Sequence, residues 1–223
     1  GLDGFVLLSP MVNDPRVAFL RARDVPFVIH GRTEVRPDYP FFDIDNENVG
    51  YTLTRLLTRQ GHRRIAFLNG PAQHTYVEWR RDGYLRALAE VSATPEPDLH
   101  LYGEMTEAFG MIGALRLLTQ PAPPTGIICG NTLILKGVFQ TISSLGIRVP
   151  DDVSVVAHDD ELPGVRSAGF DPPVTVTLSP LEISWPPLAE LLIDRMNGRP
   201  VSELQRWGPV SVVDRDTIST RKG

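Results

Sequence analysis

Residues 56–71 read LLTRQGHRRIAFLNGP. The leading leucines close an amphipathic pattern, Gly61 stops it, and Ile65–Leu68 follows as four apolar residues in a row before a polar Asn69. A glycine just past the last helical residue, followed by a short, wholly apolar run, marks a helix that ends and a strand buried on both faces. The same grammar recurs at LGIRVPDDVSVVAHDD, residues 145–160. Working outward, further strands are expected at Phe5–Leu8, Pro26–Ile29, Phe41–Ile44, Gly126–Cys129, Val153–Ala157, Val174–Leu178 and Val210–Val213. Helical patterns lie between them at Pro15–Ala22, Glu47–Arg59, Tyr76–Glu90, Thr106–Leu118, Asn131–Leu145 and Leu181–Met196. Repeated alternation of this kind predicts an α/β fold, with parallel sheets flanked by helices.

The composition is that of an ordinary globular protein: 42% hydrophobic and 22% charged over 223 residues, with a net charge of −5. An acidic chain has no general attraction for polyanions. The single cysteine, Cys129, excludes an internal disulfide framework. No apolar run reaches the ~20 residues that span a bilayer. The opening GLDGFVLLSP has neither a basic start nor an initiator methionine, and it reads as the middle of a longer protein.

In doubly wound sheets ligands sit beyond the carboxyl ends of the strands. Residues able to do chemistry cluster at those positions here: Ser9, His30, Arg32, Asp43, Asp45, Asn69, Asn131 and the pair Asp159–Asp160. The five histidines are scattered without HxxxH or CxxC spacing, so no metal site is expected. A G-x-S-x-G elbow, a P-loop and a G-x-G-x-x-G turn are all absent, which removes the usual nucleophile and leaves no cofactor to expect. Binding asks for less. A carboxylate accepts hydroxyl protons, an amide donates and accepts, and the Arg80 guanidinium presents a fork of donors, which together suit a polyol. Plainer roles compete for each residue: Asn131 is equally placed to cap the helix that follows it, and Asp160 to sit as a cap or a surface charge.

Several stretches together resemble the effector-binding core of the LacI/GalR family of bacterial transcription regulators. They are LDGFVLLSP (residues 2–10), VPFVIHGR (25–32), FFDIDNENVGY (41–51), LLTRQGHRRIAFLNGP (56–71), WRRDGYLRAL (79–88), PPTGIICGNTLILKGV (123–138), VPDDVSVVAHDD (149–160) and RDTIST (215–220). The 56–71 stretch is the most specific of them, and the order holds along the whole chain. The resemblance implies a two-lobe, periplasmic-binding-protein-like fold with a small effector between the lobes. The first lobe would comprise residues 1–44 plus 181–207, the second residues 45–178 plus 208–223. Family effector positions fall on Ser9 or its neighbours, His30, Arg80, Asn131, Asp159 and Leu181, with Asp159 as the ligand-gripping carboxylate and Asp160 as its structural neighbour.

The resemblance further implies a cytoplasmic, sugar-responsive repressor that acts as a homodimer and is not an enzyme. Operator DNA would be read by an N-terminal helix-turn-helix that these residues do not include, and the first lobe would begin at about its third strand. A solute-binding protein of a sugar transporter shares the fold and is the alternative. Four positions depart from the family pattern. Ala157-His158 replaces a glycine-aromatic pair, Thr132 stands where an aspartate is common, Trp185 and two prolines replace a helix-opening glycine, and Lys136 occupies a usually small or apolar position near the dimer contact.

Overall fold

The structure is a computed structural model describing residues 3–221; the outermost residues of both expected lobes, 1–2 and 222–223, lie outside the described residues. Ten strands and six α-helices alternate along the chain and build two sheets.

The first sheet has four parallel strands in the order β1 (Phe5–Leu7), β2 (Phe27–His30), β3 (Phe41–Asp43) and β9 (Gln205–Trp207). Helices α1 (Pro15–Arg21) and α6 (Trp185–Met196) cover it. Strands β2 and β3 are apolar and buried, as a strand covered on both faces should be. Strand β1 departs from the expectation of burial: it lies at the sheet edge with Phe5 and Val6 exposed.

The second sheet has six strands in the order β10 (Ser211–Val213), β8 (Thr175–Leu178), β7 (Ser154–Asp159), β6 (Gly126–Cys129), β4 (Ile65–Asn69) and β5 (His100–Tyr102). All its pairings are parallel except β10 against β8. Two helix pairs flank it: α2 (Asn46–Thr58) with α3 (Thr75–Ala89), and α4 (Glu107–Leu118) with α5 (Thr132–Ser144).

The sequence pattern missed β5 and β9. Their sequences, HLY and QRW, hold no apolar run, because each packs a strand of mixed character against the rest of its sheet. The helix expected from Leu181 opens instead with a 3-10 turn at Leu181–Ser184, and α6 proper starts at Trp185. Pro186 and Pro187 fit the first turn of a helix, where their missing N–H groups cost nothing.

Each flanking pair meets backbone to backbone. Gly83 of α3 lies against the Glu47 carbonyl of α2, Gly50 of α2 against the Arg80 carbonyl, and Gly137 of α5 against the Glu107 carbonyl of α4. No side chain fits at these crossings. Behind them, His62 of the opening stretch is fully buried, with Nδ1 2.8 Å from Thr125 Oγ1 and Nε2 3.0 Å from the Ser219 carbonyl. It fastens the C-terminal segment to the second sheet. The chain passes between the sheets at three places: after β3, after β8 and after β9. The strands' carboxyl ends therefore face one another across a cleft.

Two outcomes test this packing. Gly83→Ala forces a methyl group into the Glu47 carbonyl and should cost about 1–3 kcal/mol despite alanine's better helix propensity. Thermal unfolding should show a midpoint several degrees lower, while Gly169→Ala, with open space around it, should change little. His100 stacks on Phe67 at 5.2 Å and Tyr102 at 4.4 Å, and burial pushes its imidazole down to about 4 from 6.5. The unfolded chain then takes up that proton first as pH falls, so stability is present above pH 6.5 and is lost towards pH 4. His100→Phe keeps the stacking and should remove about 3 kcal/mol of this acid sensitivity, read from denaturant unfolding at pH 4 and 7.

Candidate functional site

A cavity of about 290 Å³ occupies the cleft, at the lower end of the range for small-ligand sites. Both sheets and the crossovers between them line it. From the first come Ser9, His30, Arg32 and Asp43; from the second Tyr76, Trp79, Arg80, His158 and Asp160; from the crossover after β8, Ser179, Leu181 and Trp185.

Arg80 projects from α3 and is buried. Its Nε donates to Asn46 Oδ1 at 2.9 Å and Nη1 to the Gly130 carbonyl at 2.9 Å. Its Nη2 makes no hydrogen bond within the described residues. Burial pushes against its charge, with Tyr76, Asp160 and Asp43 acting the other way. Asn46 is held in turn: its Nδ2 donates to Asp43 Oδ1 at 3.2 Å, and Asp43 Oδ2 accepts from Arg32 Nε at 2.8 Å. Arg32, Asp43, Asn46 and Arg80 thus form one chain of polar contacts from the first sheet to the second. Burial carries the Asp43 carboxyl up to about 6 in spite of the Arg32 charge.

The Arg32 guanidinium centre lies 4.2 Å from the Trp79 ring and 4.2 Å from the Trp207 ring. A cation desolvated between two indoles is well stabilised. The carbonyl of Arg32 accepts from Thr75 Oγ1 at 2.5 Å. Beside it, Thr75 N donates to the Pro10 carbonyl at 3.2 Å and Val12 N to the Gln73 carbonyl at 3.0 Å. One rim of the cleft is therefore closed by backbone contacts between residues 10–12 and 73–75.

Aromatic rings supply much of the remaining wall. Trp185 is 42% exposed at the start of α6, with its ring 5.7 Å from that of His30. His30 stacks in turn on Phe42. Burial lowers the pKa of His30 and of His158, whose Nδ1 meets Thr177 Oγ1 at 3.0 Å. Both imidazoles are neutral donors and acceptors at pH 7. Ser9 and Glu161, on opposite sides of the cleft, take left-handed backbone angles of 51° each, a strain that non-glycine residues keep where the surroundings demand it.

Four of the six residues singled out from sequence line the cavity: Ser9, His30, Arg80 and Leu181. Asn131 and Asp159 do not. Asn131 caps α5, its Oδ1 accepting from Ile134 N at 2.9 Å, and its Nδ2 reaches the Met105 carbonyl. Asp159 is 2% exposed, and both its oxygens are engaged, Oδ1 by Glu161 N at 2.8 Å and Oδ2 by Ser167 N at 3.2 Å. Of the two aspartates, it is Asp160 and not Asp159 that lines the cavity. Asp160 Oδ1 is buried without a hydrogen-bond partner, and burial pushes the carboxyl above the usual carboxylate range.

Side chains on a strand alternate between faces. His158 and Asp160 share the cleft side, and Asp159 between them turns away. That alternation was the available signal. Sequence reasoning also missed Tyr76, Trp79 and Asn46, which reach the cavity from helices, and it underrated Trp185. Among the described residues no group of three or more His, Cys, Asp or Glu side chains is gathered to hold a metal, and no helix is long and apolar enough to cross a membrane. Lys136 pairs with Glu107 of the neighbouring helix at 2.7 Å, away from the cleft.

A family model described as a periplasmic binding protein-like domain matches residues 54–218. The HTH-type transcriptional regulator AglR of Rhizobium meliloti is 37% identical over 218 residues, covering 97% of this chain and 61% of that protein. The HTH-type transcriptional regulator CelR of Thermobifida fusca is 32% identical, covering 88% of this chain and 58% of that protein. The chain thus spans about three fifths of the length of these curated relatives. Among solved structures, a LacI-family regulatory protein from Chloroflexus aggregans superposes with a TM-score of 0.85 at 29% identity, covering 99% of this chain and 78% of that one. A complex of the transcriptional regulator CelR with cellobiose superposes with a TM-score of 0.85 at 29% identity, covering 97% and 66%.

The two aspartates give a direct test. Asp159→Ala strips the acceptors from two backbone N–H groups and should destabilise the chain by about 1–3 kcal/mol. Asp160→Asn removes a buried carboxylate that lacks a partner and should leave the thermal midpoint unchanged or raise it. Equal losses for the two variants in a melting experiment would return Asp159 and Asp160 to equivalent standing.

Proposed function

The chain belongs to the periplasmic-binding-protein-like domains of the LacI-family regulators, and from that premise we propose that it is the effector-sensing core of a sugar-responsive transcriptional repressor. The observation that carries this reading is the cavity itself, whose polar groups come from both sheets and are joined by the Arg32–Asp43–Asn46–Arg80 chain. A ligand gripped from both sides has a different affinity for each relative arrangement of the lobes, and only such a difference shifts a conformational equilibrium.

The lobes we assign are residues 1–44 with 181–207, and 45–178 with 208–223. Effector contacts are assigned to Ser9, His30, Arg80, Asp160 and Leu181. Arg80 Nη2 and the Asp160 carboxyl group offer a donor and an acceptor to adjacent hydroxyls, and Trp185 offers a face to the apolar side of a sugar ring. The bound cellobiose of the CelR complex supports a sugar as the ligand class. The names of the relatives AglR and CelR support DNA reading by a helix-turn-helix in the parent protein. On this reading the parent works as a homodimer on a two-fold operator in the cytoplasm, and its output is occupancy of DNA rather than turnover of substrate.

The test is operator binding by the full-length parent, followed by fluorescence anisotropy during titration with neutral mono- and disaccharides. An effector should change operator affinity about 5- to 150-fold, the span of an ordinary allosteric coupling. The 223-residue chain, with its net charge of −5, should not bind the operator under the same conditions. Arg80→Lys, which keeps the charge but loses the fork, should weaken the sugar response about tenfold or more. An operator affinity indifferent to every sugar, or tight operator binding by the chain alone, would refute the reading.

A further inference from the structure

We propose that the cleft selects an uncharged sugar and rejects the phosphorylated or carboxylated form of the same sugar, an inference that rests on the sugar-effector reading above. The charges inside the cleft carry it. Among the described residues, two of those lining the cavity are Arg or Lys. Arg32 is paired with the Asp43 carboxylate and enclosed between Trp79 and Trp207. Arg80 is buried and donates from Nε to Asn46 and from Nη1 to the Gly130 carbonyl. The side-on fork of Arg80, which needs Nε, is thus not open to a phosphate.

The remaining ionisable groups point the same way. Asp160 lines the cavity near Arg80, so an anion placed beside Arg80 would also stand beside a carboxyl group. Half-buried His30 and buried His158, both with lowered pKa values, add no positive charge at neutral pH. A hydroxyl group has the opposite fit: it donates to the Asp160 carboxyl group and accepts from Arg80.

Backbone donors do not compensate. Helix N-termini are the usual anion cradles, through N–H groups left unpaired in the first turn. At the cleft end of α6 the first turn holds Pro186 and Pro187, which have no N–H, and Trp185 N is spent on the Glu182 carbonyl. At the cleft end of α3, Thr75 N donates to the Pro10 carbonyl, and Val77 N and Glu78 N donate to the His74 carbonyl. These N–H groups at the two helix ends are thus already taken. What the helix ends present instead is the Trp185 face, 42% exposed, which a sugar ring covers without any demand for charge.

Isothermal titration calorimetry on the 223-residue chain tests this with matched probes: glucose, maltose and cellobiose against glucose 6-phosphate, glucuronate and inorganic phosphate, with adenine as a neutral non-sugar. At least one neutral sugar should bind, and its charged counterparts should bind roughly tenfold or more weakly. Asp160→Asn, which removes the acidic group without changing its shape, should weaken the neutral sugar and narrow the gap. Glucose 6-phosphate, glucuronate or inorganic phosphate binding as tightly as the neutral sugars would overturn the charge selection while leaving the sugar reading intact. Binding of adenine with no binding of any sugar would defeat the sugar reading itself. Silence towards every neutral sugar would count against both.

Discussion

The buried guanidinium of Arg80 is the constraint on which the cleft depends. Moving an ion of that size out of water costs several kcal/mol even after relaxation, so the groups around it are not free to vary. Asn46 and the Gly130 carbonyl meet it directly, and each is held by something else: Asn46 by Asp43, Asp43 by Arg32, Arg32 by two indole rings. The polar chain that results runs through a crossover between the sheets, because Asp43 ends β3 and Asn46 starts α2. Residues 43–46 thus connect the first sheet's electrostatics to the buried, cavity-lining cation of the second.

Local packing makes that connection geometrically possible. Asn46 reaches Arg80 because α2 and α3 cross at backbone distance, and they do so because Gly50 rests on the carbonyl of Arg80 itself. A side chain at position 50 would push the helices apart and draw the guanidinium away from its amide partner. The WRRDGYLRAL stretch therefore serves two purposes at one crossing, with Gly83 setting the helix spacing and Arg80 using it. Close packing of this kind is bistable rather than elastic, so strain on Arg80 from a ligand is passed on rather than absorbed.

The alternation of apolar runs with amphipathic segments was enough to read the α/β class and nearly all the buried strands. It did not reach β5 or β9, whose HLY and QRW sequences carry no hydrophobic period. For the site, residues that follow a strand directly were readable, since topology puts them at the carboxyl edge: Ser9, His30 and Arg32 line the cavity as the rule requires. Where two neighbouring residues competed for one role, the sequence could not choose. Asp159 and Asp160 are chemically identical, and only the phase of β7's side-chain alternation decides which meets the cleft and which is tied down by Glu161 and Ser167. Asn131 is a similar case, its capping bond winning over a position in the wall. Trp79, Tyr76 and Arg80 come from a helix that dips into the cleft, and their reach depends on the α2–α3 spacing, a tertiary property.

Closure of one rim by main-chain contacts adds a consequence for how the cleft responds. Residues 10–12 and 73–75 are joined by N–H···O=C bonds that do not depend on side-chain identity, with Thr75 Oγ1 bonded to the Arg32 carbonyl beside them. Contacts of this strength contribute roughly 1 kcal/mol each, enough to bias an arrangement of the lobes without locking it. The opposite wall, by contrast, is built from side chains: Arg80, Asp160 and the half-exposed face of Trp185. On the proposed reading, a ligand would engage this wall while the opposite rim stays closed by its own backbone.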